Sequence, residues 1–211
     1  MRLLRFSERD PVGVSRMNSS RGWLGFPRMP SKPFADVERY ASPAQLLHWT
    51  TALLVVAAYI TSIGGPESRL YSPTNDFSRE LHELIGISVF SLTLVRVILR
   101  WACPPPKGPD MPAWMQLGGK LGHWAIYVLL VLVPVTAIVG AWLEGHPLTL
   151  LVIGDIQPWV APSRQLGHKL ADLHGWLGNV LIWLAGLHAA AALYHHFWRR
   201  DTVLQSMLPG R

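Results

Sequence analysis

The sequence predicts an all-α fold, a transmembrane four-helix bundle, and three observations carry that prediction. Half of the 211 residues are apolar and only 15% are charged, where a soluble domain carries about 25% charge. Four stretches reach the roughly 20 mostly apolar residues that a spanning helix needs. Basic residues are sorted to one side of those stretches: 15 of the 19 Lys and Arg fall there, as positive residues do on the cytoplasmic side of a membrane protein.

Residues 1–40 form the first segment. They hold seven of their eight basic residues before position 33, are rich in Gly, Pro and Ser, and show no sustained apolar period. They read as a disordered cytoplasmic extension, or as an over-long start with Met17 and Met29 as alternatives. A secretory leader would need an apolar core that is absent, and Glu8 and Asp10 interrupt a transit-peptide pattern. The membrane domain is expected over 41–211.

Helix I is expected from about Ala44 to Ile63. Ser42 and Pro43 supply a cap and first-position proline, and Gly64-Gly65-Pro66 a stop. Helix II is expected from about Leu81 to Trp101, stopped by the triple proline at 104–106, because proline lacks the amide donor and clashes with the preceding turn. Helix III, about Leu121 to Leu143, contains Pro134, which spanning helices tolerate with a kink. Helix IV runs from about Leu170 to Trp198. Between III and IV lies the longest outer loop, about 144–169, in which Leu148 to Ile153 and Trp159 suit an interfacial position. Both termini are expected in the cytoplasm.

The charge sorting accounts for the pI of about 9.9, so the basic balance reads as topology and not as nucleic-acid binding. The lone thiol, Cys103, excludes an internal disulfide and a cysteine zinc cage.

Chemistry is carried by histidines. His174 and His188 lie fourteen residues apart in DLHGWLGNVLIWLAGLH. Fourteen residues make almost four turns, so both imidazoles share a face, roughly 21 Å apart along the axis. Ionisable side chains at membrane depth are rare and usually functional. With alternating helix directions, His82 at the start of helix II matches His174 in depth near the outer face. His48, one turn into helix I, matches His188 near the inner face. Each depth then offers two histidines from different helices, a bis-imidazole set for a haem, and four-helix bundles build cofactor sites in this way. A single histidine in an apolar helix can simply hydrogen-bond a neighbour, but four at two matched depths form a different pattern. Gly86 and Gly178 each follow a histidine by four residues, where a missing side chain lets a flat macrocycle approach the backbone. His168 is set aside as a loop-edge residue on the opposite face of His188. His196 shares the face of His174 but lies too far along the axis, and His146 is assigned no role.

The stretches LLHW, LHELIGISVFSLTLVRVILR, LGHWAIYVLLVLVPVTAIVG, LHGWLGNVLIWLAGLHAAAALYHHFW and RDTVLQSMLPGR, spanning about 40–210, resemble the prokaryotic cytochrome b561 family of small di-haem membrane cytochromes. The resemblance implies two b-type haems with His48, His82, His174 and His188 as axial ligands. It also implies electron exchange with quinone in the bacterial inner membrane, and a related enzyme class oxidises superoxide and reduces ubiquinone. An inner quinone site is then expected near His123, Lys120 and His195, where imidazole and ammonium groups can bond quinone oxygens and supply protons. The outer side carries seven acids against four bases, a poor mouth for an anion such as superoxide. A cytochrome subunit that passes electrons between quinol and a docked redox partner is the alternative.

Overall fold

In a computed structural model the chain is described over residues 37–62, 76–150 and 154–209. Four long helices dominate: α1 Ser42–Thr61, α2 Asp76–Ala102, α3 Ala113–Glu144 and α4 Arg164–Tyr194. Each is long and apolar enough to cross a membrane. A two-stranded antiparallel hairpin, β1 Leu148–Leu150 with β2 Gly154–Ile156, joins α3 to α4. A π-helical turn, His195–Arg199, continues α4, and a short α5, Val203–Met207, closes the chain.

The helices start earlier than apolar content predicts. α2 begins at Asp76, α3 at Ala113 and α4 at Arg164, because polar turns extend each helix past the apolar stretch. The 32 residues of α3 give about 48 Å of helix, against a hydrocarbon core of about 30 Å. His168 therefore sits in the second turn of α4 and not at a loop edge; its Nδ1 lies 3.1 Å from Glu144 on α3. The cap of α1 is Ala41, not Ser42, and makes no side-chain bond. Its carbonyl accepts from Ala44 and Gln45 at 2.8 and 3.2 Å, and Pro43, inside the first turn, gives up a donor that has no intrahelical acceptor. The Gly64-Gly65-Pro66 stop lies outside the described residues. α3 continues through Pro134 to Glu144 and ends on Gly145 at φ 88°, a left-handed cap that glycine adopts without a Cβ penalty.

α3 packs most extensively on α4, and α1 on α2. At the α3–α4 crossing a Cβ on Gly167 would stand 3.0 Å from the Gly140 carbonyl oxygen, so small residues set this approach. The core lies at mid-depth: Val89, Leu129, Leu130 and Leu181 are buried, with Val55, Ile85, Val133 and Leu177 packed against them. Thr51 and Thr93 are buried there too, and each hydroxyl donates to the carbonyl four residues back, Leu47 at 2.6 Å and Val89 at 2.7 Å, which satisfies it in an apolar setting. Large apolar side chains such as Leu53, Ile98, Trp124 and Trp183 are exposed along the outside of the helices. On a soluble domain a surface of that kind would be a liability; on spanning helices it faces lipid. Leu148 and Leu150 are buried against the helices, and the Glu83 carboxylate accepts from the Thr149 amide at 2.9 Å to fix the hairpin on α2. Residues 151–153 of that segment lie outside the described residues.

At the opposite end the tail folds back on α1. Tyr40 donates its amide to the Ser206 carbonyl at 3.0 Å. Gln45 reaches the same carbonyl at 3.1 Å, and the Trp49 indole donates to Met207 at 2.9 Å. This clasp anchors the first two turns of α1, the second of which carries His48.

Candidate functional site

Two layers of histidine stand inside the bundle, and α4 contributes to both. In one layer His82 of α2 faces His174 of α4, ring centroids 6.0 Å apart. In the other, His48 of α1 faces His188 of α4 at 6.4 Å. The rings of both depth-matched couples meet, with His123 as a third ring against His188.

The backbone orients the rings of the His82 layer. His82 Nδ1 lies 2.9 Å from the Ala58 carbonyl oxygen, in the last turn of α1; the same oxygen also accepts from the Ser62 amide at 3.1 Å and the Thr61 hydroxyl at 3.0 Å. His174 Nδ1 lies 2.8 Å from the Val133 carbonyl oxygen on α3. A carbonyl only accepts, so each Nδ1 carries the hydrogen and each Nε2 the lone pair, the tautomer a metal needs. A cavity of about 490 Å³ is lined by both rings together with Gly86, Gly178, Val133 and Pro134. A Cβ built on Gly86 or Gly178 meets nothing within 4 Å. Neither glycine is there to let a neighbouring helix approach; both open onto cavity.

The His48 layer is more polar. His123 of α3 packs on His188 with centroids 5.1 Å apart. Arg96 of α2 places Nη2 3.2 Å from His48 Nδ1 and its guanidinium 5.5 Å from the centre of the Tyr127 ring. Arginine has no acceptor, so His48 Nδ1 accepts and its proton stands on Nε2.

These pairs suit a metal already held in a plane. Two imidazoles bound to opposite faces of one metal at about 2 Å, each with a ring radius of about 1.1 Å, put their centroids about 6 Å apart. Among the described residues no group of three or more His, Cys, Asp or Glu could hold a bare ion. Each pair supplies two nitrogens, which is what an iron with four porphyrin nitrogens still requires. The His82 pair fits as it stands; the His48 pair fits in spacing once the His48 proton moves to Nδ1.

The three expected quinone contacts are not brought into one hydrogen-bonded group among the described residues. Lys120 is exposed, and His123 lies against His188 in the ring layer and not at the helix margin. His195, at the end of α4, places Nδ1 2.6 Å from Asp201 Oδ2, and Arg199 donates to the same oxygen at 3.4 Å. Arg200 turns the chain there with φ 53°, a conformation uncommon outside glycine. Asp201 lies in the RDTVLQSMLPGR stretch that carries part of the resemblance, but as a partner for His195 its signal is faint: one acid in a basic tail. Arg96 had a clear signal, since it follows His82 by fourteen residues just as His188 follows His174.

Residues 39–210 match the family model described as prokaryotic cytochrome b561. Among curated relatives, "Probable superoxide oxidase CybB" of Yersinia pestis is 30% identical over 168 residues, 78% of this chain and 93% of the relative. "Cytochrome b561 homolog 2" of Escherichia coli K12 is 28% identical over 81% of this chain and 92% of its own length. "Cytochrome b562" of Cereibacter sphaeroides is 30% identical over 78% of this chain and 92% of its own length.

Proposed function

The chain belongs to the prokaryotic cytochrome b561 family, integral membrane proteins for which a b-type haem is implied, and on that premise we propose that it binds two haems and carries electrons across the bacterial inner membrane to quinone. His82 and His174 would hold one haem, His48 and His188 the other. The observation that carries this reading is the pair of cross-helix histidine couples stacked along α4, with centroids 6.0 and 6.4 Å apart. Haem bound there supplies reversible one-electron chemistry. The protein's part is to orient four imidazoles, to exclude water with an apolar core between the layers, and to manage protons where quinone is reduced.

Superoxide is the donor we favour, in keeping with the name of the Yersinia pestis relative. Two superoxide anions each lose one electron and leave as dioxygen; one quinone gains both electrons and two protons to become quinol. With both termini in the cytoplasm, the His82 layer faces the donor and the His48 layer faces quinone. His195, held by Asp201, would give a proton to a quinone oxygen, with His123 and Lys120 as the further contacts of that side. A second reading has an observation of its own. Seven acids against four bases mark the donor side, and Arg79, one of the four, is engaged by Glu83 at 2.7 Å. Such a face favours a cationic redox protein over a small anion, in a cytochrome subunit that serves a docked partner.

Pyridine haemochromogen analysis with protein quantitation should give two six-coordinate b haems per chain. One haem per chain, or a high-spin ferric spectrum, would refute the two-layer arrangement. Rapid mixing of the purified protein with superoxide, with and without quinone, then tests the donor: haem reduction on mixing, followed by reoxidation only when quinone is present, is expected.

A further inference from the structure

Arg96 is a charged side chain within the apolar span of α2, half-buried beside the His48–His188 pair. A charge at that depth needs a partner. Among the described residues no carboxylate lies within ion-pair distance of it. What it touches are two weak substitutes, His48 Nδ1 at 3.2 Å and the face of Tyr127 at 5.5 Å.

The first of these partners cannot persist if His48 ligates iron. A ligating Nε2 needs its lone pair, so the proton of a neutral ring moves to Nδ1. Nδ1 is then a donor facing a donor, and the guanidinium keeps only Tyr127, a neutral partner that leaves its charge uncompensated. A b-type haem brings two propionate carboxylates, and a planar guanidinium fork matches a carboxylate with two parallel hydrogen bonds. The His82 layer is built differently: backbone carbonyls of Ala58 and Val133 take the imidazole protons, and no arginine contact to either ring is needed there.

We infer that Arg96 is the carboxylate anchor of the haem in the His48 layer, binding a propionate when iron takes His48. Engaging the propionate turns the guanidinium away from Nδ1 and lets His48 adopt its ligating tautomer. Arg96 is thus a positioning residue for His48 as well as a direct contact of the cofactor. The inference rests on the two-haem reading above.

The test compares haem b with its dimethyl ester, which has the same ring and iron but no free carboxylates. The full chain is synthesised into lipid nanodiscs with either cofactor. Occupancy of the His48-layer haem, identified as the component lost in His48→Ala, is titrated by absorbance. The wild-type layer should prefer haem b over the ester by at least about tenfold, the worth of a hydrogen-bonded charge pair. Arg96→Gln should bind haem b at least about tenfold more weakly and lose most of the preference, while His82-layer occupancy stays unchanged. The midpoint potential of the remaining His48-layer haem should fall, since an uncompensated propionate favours the ferric state. If Arg96→Gln yields no folded protein, Arg96→Lys is compared instead, and its single ammonium should cut the preference at least about threefold. An equal preference in wild type and variant overturns the inference while leaving two haems in place. A wild-type protein with no haem in the His48 layer overturns the two-haem reading, and this inference with it.

Discussion

At the scale of single residues, the two histidine layers obtain their ligand tautomers by different means, and this gives them separable behaviour. Removal of His82 takes away one nitrogen from a layer whose remaining ring, His174, is still held by the Val133 carbonyl at 2.8 Å. His82→Ala should strip or convert to high spin the haem of that layer and spare the other. His48→Ala should do the reverse. Potentiometric titration of each variant checks this, and loss of the same component in both would contradict the two layers. His195 lies outside either couple, bound to Asp201 at 2.6 Å. General acid groups contribute about 10²–10⁴-fold to proton-coupled steps. His195→Phe should therefore slow quinone reduction by the dithionite-reduced protein at least about tenfold and leave both haem spectra intact. Stopped-flow absorbance measures it, and unchanged kinetics would remove His195 from the quinone site.

At the scale of elements, each helix supplies one group to each layer, and two spacings do it. α2 carries His82 and Arg96, and α4 carries His174 and His188, each pair fourteen residues apart; α1 carries Ala58 and His48, and α3 carries Val133 and His123, each ten apart. The His82 layer combines two rings with two backbone carbonyls, and the His48 layer three rings with a guanidinium. Half of this design was legible from the chain. The four paired histidines stand out because an ionisable residue in an apolar helix has few other reasons to be there. The carbonyls of Ala58 and Val133 leave no mark in the sequence, since any residue has one. Helix starts were misjudged for a related reason: Lys120, Arg164 and Lys169 are compatible with helix, but not with hydrocarbon, and apolar content reports only the latter. The glycines divide by the same kind of argument. Gly178→Leu would project into the cavity beside His174, and should lower occupancy of that layer's haem without unfolding the bundle. Gly167→Ala would push on Glu144 and Gly140 across the α3–α4 crossing, and should cost about 1–3 kcal/mol of stability with haem stoichiometry preserved in the folded fraction. Thermal melts with haem quantitation separate the two effects.

At the scale of the whole molecule the open quantities are direction and donor, and both can be read without altering the site. Cys103 is exposed just beyond the end of α2, at the end of the bundle where α1 begins. If 15 of the 19 basic residues mark the cytoplasmic side, a membrane-impermeant maleimide should label Cys103 in inverted vesicles and not in intact spheroplasts. The opposite pattern would invert the protein and exchange the donor and quinone faces. The donor face then has a charge of about −3 from its Lys, Arg, Asp and Glu, seven acids against four bases. His146, in the loop at that face, has its pKa lowered by burial, which disfavours a positive charge there. The sign of that field distinguishes the two donors. An anion approaching an anionic face is repelled, and added salt screens the repulsion over a Debye length of about 10 Å at 0.1 M. A cationic protein is steered inward, and salt weakens the steering. If superoxide is the donor, the second-order rate of haem reduction should rise as ionic strength is raised from about 10 to 200 mM. For a basic redox protein it should fall several-fold over the same range. A superoxide rate that falls with salt would mean that a local positive funnel outweighs the net charge, and Arg164 and Lys169, at the start of α4, would be the residues to replace next.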